Sequence, residues 1–332
     1  MTIKFVDLFC GIGGFHHGIK NVIADSECVL ASDSDKNVQK VYEDNYGVKV
    51  QGDICEITDI PECDIICGGF PCQPFSVAQW KDAKAFKDPR GNMFFEIMRL
   101  VDIRKPPCIF LENVANLTTI KGGEVMKTIV ESLESRGYNV SYKVLNAKNF
   151  GIPQNRERVY IIASLNKTFD FSVLESVNIN SSIIDILDKT SNEIIDSQNY
   201  TIIDDCHVKR QNKSGLIFKG YINGNIRKAG ARENTEHLSR VHKQPMRIYS
   251  TNGTHPTLSA SESSGRYHIY DERSGVVRKL SLKECYRLMA YPDTFKKSGV
   301  KGVAYKQIGN SVCVKVIEEI FKEIVRQEAF PL

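Results

Sequence analysis

Cys72 stands between two prolines in Gly68-Gly69-Phe70-Pro71-Cys72-Gln73-Pro74-Phe75-Ser76, just after the apolar run Cys63-Asp64-Ile65-Ile66-Cys67. That run reads as a strand ending at the glycine pair. A thiol just past a strand's carboxyl end lies where ligands and chemistry collect in open α/β sheets. Taken alone, the same residues also fit loop punctuation around an inert small hydrophobe. Glu112 is the second candidate. It closes the apolar strand Cys108-Ile109-Phe110-Leu111 at the same edge as Cys72, which suits an acid as well as a helix cap or a solvated turn. Arg156 and Arg158 alternate with Glu157, so both can project from one face of an extended segment into one site. Surface salt bridging is the alternative.

These residues need a sheet to align them, and the first third of the chain describes one. A strand over Lys4 to Phe9 runs into Cys10-Gly11-Ile12-Gly13-Gly14, and a helix follows from about Phe15 to Ala24. A strand (Cys28 to Ala31), the acidic turn Asp33-Ser34-Asp35, a helix (Lys36 to Tyr46), a strand near Val48 and a loop holding Asp53-Ile54 come next. Strand–helix alternation with glycine at the first turn predicts a doubly wound α/β fold. The glycines let a ligand approach the backbone, and an acid about 20 residues on can grip a ribose. A dinucleotide fingerprint is disfavoured, because His16 falls where its third glycine belongs. A nucleoside without a pyrophosphate suits the turn better, S-adenosylmethionine being the common one; a plain tight turn is the other reading.

After Ser76 a polar loop runs to about Asn92 with Trp80 and Gly91, longer than the ~12–15 residues usual for structureless loops, which suits a lid. Helices over Met93–Arg104 and Glu124–Ser135 and strands around Tyr138–Leu145 and Val159–Ala163 complete the first region. From Ser172 the periodicity fades, and a smaller, irregular, strand-poor domain is expected, inserted before the C-terminal helix. Its window Cys206–Arg247 holds ten Lys/Arg and two acids, +8 of a total of +4, which leaves −4 elsewhere and suggests a polyanion surface or a solvated face. Ser281 can cap a helix from Leu282 to Ala290 that Tyr291-Pro292-Asp293 stops. Gly309-Asn310-Ser311 is expected to open a last helix with the apolar stripe Val312, Val316, Ile320 and Ile324. The expected domains are residues 1–180 with 303–332, and 181–302. No run of eighteen apolar residues and no signal peptide is present, and ten scattered cysteines without a Cys-x-x-Cys pair fit neither a zinc site nor a disulfide framework. A cytoplasmic protein with free thiols is the expectation.

Six blocks in order give the chain its family resemblance. They are Phe5-x-Asp7-Leu8-Phe9-x-Gly11-x-Gly13-Gly14, Gly69-Phe70-Pro71-Cys72-Gln73, Glu112-Asn113-Val114, Gln154-x-Arg156-x-Arg158, Arg278 to Pro292, and Gln307-x-Gly309-Asn310-Ser311-Val312. The chain resembles the DNA (cytosine-5)-methyltransferases of bacterial restriction–modification systems, nearly end to end except for the basic insert. The resemblance implies a Rossmann-like methyltransferase domain that takes S-adenosyl-L-methionine and releases S-adenosyl-L-homocysteine. Cytosine C5 is a poor nucleophile until a thiolate adds at C6. The resemblance gives that role to Cys72, protonation at N3 to Glu112, and O2 and the thiolate charge to Arg158. Burial beside a base is expected to favour the protonated form of Glu112. Arg156 is implied as support for the loop or a phosphate, and the Phe70 carbonyl as acceptor for the exocyclic amine. Gln73, Ser76 and Arg90 are further residues the resemblance implies on the DNA side. No side chain nominates itself as base for the C5 proton, and water is the default.

For the cofactor, the resemblance implies Phe9, Gly11, Ile12 and Gly14 around the methionine and adenosine, with Asp33 on the ribose and Asp53-Ile54 on the adenine. Pro71, Met93, Asn310 and Val312 complete the pocket. Ser34 departs from the family, which often has an adenine-stacking aromatic there, and a looser adenine edge is expected. A base inside a duplex must be flipped out to be reached. The insert would hold phosphates while its loops read the major groove, with Gln244 filling the vacated stack and Arg247, Tyr249 and Thr257 in the recognition region. Double-stranded DNA is the implied partner, a cognate restriction endonuclease the functional companion, and a monomer working without metal or membrane the expected state. A transfer-RNA cytosine-5 methyltransferase would share the catalytic blocks, and a catalytically silent DNA-binding relative or a nicotinamide oxidoreductase are further alternatives.

Overall fold

The computed structural model describes residues 2–71, 93–175, 181–188, 193–224, 234–260 and 266–330. The chain divides into two compact units, one made of Met1–Leu145, Glu157–Val177 and Ser311–Leu332, the other of Asn146–Arg156 and Asn178–Asn310.

The first unit is built on a seven-stranded sheet. Its strands are β1 (Lys4–Leu8), β2 (Glu27–Ser32), β3 (Val50–Gln51), β4 (Ile65–Gly69), β5 (Cys108–Val114), β6 (Asn139–Asn146) and, past the two-residue β7 (Gln154–Asn155), β8 (Glu157–Ser164). They lie in the order β3-β2-β1-β4-β5-β8-β6. Pairings from β3 through β5 are parallel, and β8 runs antiparallel to β5. The runs Ile65-Ile66-Cys67 and Cys108-Ile109-Phe110-Leu111 are buried at every position. That is the pattern of parallel strands covered on both faces, and the reason they carry no polar alternation. Helices α1 (Gly14–Val22), α2 (Lys36–Tyr46), α3 (Met93–Arg104) and α4 (Glu124–Glu134) alternate with the strands. Asp35 caps α2 by accepting from the Asn37 amide at 2.9 Å, and Gly47 ends it at φ 69. Strand order reverses between β1 and β4, the switch point at which such sheets open a crevice.

The turn after β1 depends on one glycine. Gly13, at the N-terminus of α1, has φ 84, and a Cβ there would come within 2.2 Å of the Tyr46 ring. Gly13→Ala combines left-handed strain with overpacking and is expected to cost about 3 kcal/mol, visible as a lowered melting temperature.

The second unit is richer in strands than the expected irregular domain. Strands β9 (Tyr200–Ile202), β10 (Phe218–Ile222), β11 (Arg247–Ser250), β12 (His255–Pro256), β13 (His268–Asp271) and β14 (Val276–Lys279) follow. All but β12 form a mixed sheet ordered β14-β13-β11-β10-β9, while β12 pairs with β7. The strands are short and separated by long polar segments, so period-2 alternation never accumulates enough residues to be seen. Helix α5 (Leu282–Arg287) starts with a capping box between Ser281 and Glu284. The Glu284 carboxylate also receives both terminal nitrogens of Arg278, at 2.9 and 3.0 Å, and Arg278, 2% exposed, further pairs with Asp271. Glu284→Ala would leave a buried guanidinium short of a partner, at an expected cost of about 3–5 kcal/mol in denaturant unfolding.

Helix α6 (Lys301–Asn310) ends where the last helix was expected to begin, and α7 (Val314–Arg326) starts after Cys313. Two glycines and a broken apolar pattern hide α6 in the sequence. Val316, Ile320 and Ile324 lie buried on α7, but Val312 is buried in the preceding link. Among the described residues no helix is long and apolar enough to cross a membrane.

Candidate active site at the strand ends

Parallel register brings Leu8, Ser32, Gln51 and Gly69 to one edge of the first sheet. Because β8 runs the other way, its first residues reach that same edge, with Arg158 opposite Val114. Glu112 lies between Gly69 on β4 and Tyr160 on β8. Its Oε1 lies 3.1 Å from Nε of Arg158, with the two side chains only 10% and 15% exposed. Gly69 makes room for this pair: a Cβ there would meet Glu112 Oε2 at 3.3 Å and Val312 at 3.5 Å. Arg158 also donates to the carbonyl of Glu157 at 2.8 Å.

Asn113, for which sequence suggested no role, donates from Nδ2 to the Phe70 carbonyl at 2.9 Å, while its Oδ1 accepts from the Val114 amide. One lone pair of the carbonyl expected to accept from the cytosine amine is therefore engaged by Asn113, and a carbonyl oxygen has a second. The Phe70 ring packs 5.9 Å from that of Phe94. Pro71 is exposed. Cys72, Gln73, Ser76, Arg90 and the expected lid with Trp80 and Gly91 lie outside the described residues.

Beside these residues the turn after β1 follows a left-handed path at Phe9 (φ 52), Gly11 (φ 53) and Gly13. The Gly11 amide donates to Asp33 Oδ2 at 3.0 Å, and the Asp35 amide to Oδ1 at 2.9 Å. Gln39 holds the Asp33 carbonyl at 2.6 Å. Burial raises the Asp33 pKa against the pull of these amides. Ile12 and Gly14 are buried, and Phe9 is half-buried. Asp53 caps a short turn through the Cys55 amide, and Ile54 within it is buried. Arg99 of α3 fixes that turn by donating to the carbonyls of Ile54 and Ile57. Met93 is half-buried, Val312 buried and Ser34 exposed. A left-handed glycine turn, a carboxylate anchored by one amide on each oxygen and an apolar Ile54 fit an adenosine-bearing methyl donor, whose hydroxyls suit the acid and whose base suits the apolar face.

Arg156 and Arg158, expected on one face of a single extended run, have different partners. The chain passes from β7, which pairs with β12, to β8, which pairs with β5, and the alternation breaks between them. Arg156 belongs to the second unit, is buried, and donates to the Gly309 carbonyl at 3.3 Å. Asn310, also in the second unit, is exposed. Gln154, fully buried, bridges the Leu288 carbonyl and the Leu258 amide, and Thr257 gives its hydroxyl to the Asn155 carbonyl at 2.7 Å. Tyr249, expected to face DNA, is a core residue at 1% exposure, because β11 is buried on both faces over Ile248–Ser250. Arg247 donates to the His242 carbonyl, and Gln244 is exposed at the start of a short turn.

A family model for C-5 cytosine-specific DNA methylases matches residues 3–326. The chain is similar to the type II methyltransferase M.HhaI of Haemophilus parahaemolyticus, 36% identical over 330 residues that cover 96% of this chain and 93% of that protein. It is also similar to the type II methyltransferase M.NlaX of Neisseria lactamica, 35% identical over 328 residues that cover 97% and 96%. Among solved structures, the S. pombe Dnmt2 methyltransferase matches with a TM-score of 0.72 at 19% identity, covering 99% of this chain and 100% of that one, a likeness of fold.

Proposed function

This chain belongs to the C-5 cytosine-specific DNA methylase family, and we propose that it methylates C5 of a cytosine flipped out of a short specific sequence in duplex DNA, through a bond from Cys72 to C6. It is a DNA (cytosine-5)-methyltransferase. The observation that carries the finer reading is the Glu112–Arg158 pair, held over Gly69 on the strand that leads to Cys72.

Addition of the Cys72 thiolate to C6 moves an electron pair toward N3 and O2. Glu112, paired with Arg158 as a carboxylate, takes up a proton from water as the base enters and supplies it at N3, and Arg158, released from that pair, holds the charge at O2. The ring is then an enamine with its nucleophilic carbon at C5. Phe9, Gly11 and Asp33 at the glycine turn would hold S-adenosylmethionine, which would supply the electrophilic methyl group. Loss of the C5 proton to water and expulsion of the thiolate restore the aromatic ring, and the N3 proton returns to Glu112. Asn113 orients the Phe70 carbonyl, whose second lone pair accepts from the exocyclic amine and so favours cytosine over uracil. The basic window of the second unit supports a phosphate-binding role. Protection of host DNA from a cognate endonuclease, in the cytoplasm and as a monomer, is the biological setting we infer.

Methyl transfer to a duplex oligonucleotide library, compared with purified transfer RNA, tests the substrate. Transfer to duplexes is expected, and activity on transfer RNA alone would overturn the assignment. Duplexes carrying 5-fluorocytosine test the bond to Cys72. Without a C5 proton to lose, the adduct persists through denaturation, and its absence in an active preparation would rule the covalent route out.

A further inference from the structure

Beneath the glycine turn lies a carboxyl that the methyl-transfer chemistry does not use. Asp7, the fourth residue of β1, is fully buried two residues before the left-handed Phe9. Its Oδ2 accepts from the Tyr42 hydroxyl of α2 at 3.1 Å, the backbone amide of His16 in α1 also donates to the carboxyl, and the Cys67 thiol of β4 lies 3.9 Å from Oδ1. The Tyr42 oxygen meets Nδ1 of His16 at 2.8 Å and the Cys28 thiol of β2 at 3.4 Å. The His16 ring stacks on Tyr46 at 4.0 Å, and the Tyr46 hydroxyl donates to the Gly13 carbonyl at 2.9 Å. A continuous path therefore leads from Asp7 through Tyr42, His16 and Tyr46 to the turn. His16 is the residue that stands where a dinucleotide fold would have glycine, so the space usually taken by close helix packing is filled here by a polar, aromatic plug.

Burying several polar side chains under a turn is costly where apolar ones would pack, unless their geometry is used. We propose that Asp7 is a positioning residue for the cofactor turn, fixing the path of Phe9–Gly13 through Tyr42, His16 and Tyr46. The proposal rests on the cofactor assignment above.

The titratable groups facing Asp7 are Tyr42, His16, Cys28, Cys67, Cys10 and Asp33, and none of the groups hydrogen-bonded to it is a cation. Burial, helped by the charge of Asp33, raises its pKa well above the usual carboxylate range, although Tyr42, the His16 amide and Cys67 oppose the shift. Burial holds His16 neutral, with its pKa lowered to about 3. Oδ2 takes the Tyr42 hydrogen, which leaves Nδ1 of His16 to donate to the Tyr42 oxygen, so the carboxyl fixes both the Tyr42 hydroxyl and the tautomer of His16. A carboxyl with a raised folded-state pKa contributes stability that is complete below its unfolded value, ~3.9, and is lost as pH rises through the folded value.

The test is the dissociation constant for S-adenosylhomocysteine by calorimetry, with duplex affinity and melting temperature alongside, for wild type, Asp7→Ala and Tyr42→Phe. Tyr42→Phe keeps the ring and removes only the hydroxyl that joins Asp7 to His16. Both variants should weaken S-adenosylhomocysteine binding by about tenfold while duplex affinity stays within about threefold of wild type. Unchanged affinity for S-adenosylhomocysteine in Tyr42→Phe would overturn the proposal. A purely structural role would lower melting temperature and weaken both ligands alike, which also overturns it. Wild type that binds no S-adenosylhomocysteine would remove the cofactor assignment itself and this inference with it.

Discussion

Cys72→Ser is expected to lower methyl transfer at least about a thousandfold while duplex binding stays within about threefold of wild type. Addition at C6 needs a soft anion available near neutral pH, and a thiol reaches that state far more readily than a hydroxyl. Serine keeps the size and the loop, so the phosphate contacts proposed for the second unit should persist, and binding and chemistry should separate. The measurement is a single-turnover assay with labelled methyl donor beside a gel shift on the same duplex. The same substitution should abolish the denaturation-resistant adduct with 5-fluorocytosine DNA. Serine enzyme with full activity would end the covalent scheme.

Glu112→Gln is expected to lower the single-turnover rate about 100–1,000-fold with little change in duplex or cofactor affinity. Glutamine preserves the shape against Gly69 and still offers a hydrogen bond at N3, but it has no proton to transfer. Alanine is a coarser probe. It empties the space and leaves the mostly buried Arg158 guanidinium without the carboxylate now 3.1 Å away, so part of its effect would be structural. A larger loss for Glu112→Ala than for Glu112→Gln would measure that part. A glutamine enzyme as fast as wild type would show that the proton comes from elsewhere.

The strand ends of the first unit were legible because their runs are buried on both faces and stop at residues with special backbone or charge. Ile65-Ile66 before Gly68-Gly69, Cys108–Leu111 before Glu112, and Cys28–Ala31 before Asp33 all have that form. The Asp33–Gly11 contact follows from the 22-residue offset between acid and turn. Partners brought together by tertiary folding were not legible. Glu112 and Arg158 meet only because β8 turns antiparallel, which hydrophobic pattern does not encode. Asn113 was visible inside its block, but its bond to Phe70 was not. Local pattern misjudged the second unit, where strands of three to five residues hide among polar segments and Tyr249 is core. Nothing in composition assigns Asn146–Arg156 to that unit, since its tie is the two-residue pairing of β7 with β12.

The Asp33 carboxylate clasps the Gly11 amide and the Asp35 amide. The two loops that would enclose an adenosine are therefore joined by bonds internal to the chain, and the entropy of ordering them falls on folding rather than on association. Ligand capture at such a cradle should bury little newly ordered surface, giving a small heat-capacity change and an encounter limited by diffusion into a formed crevice rather than by loop assembly.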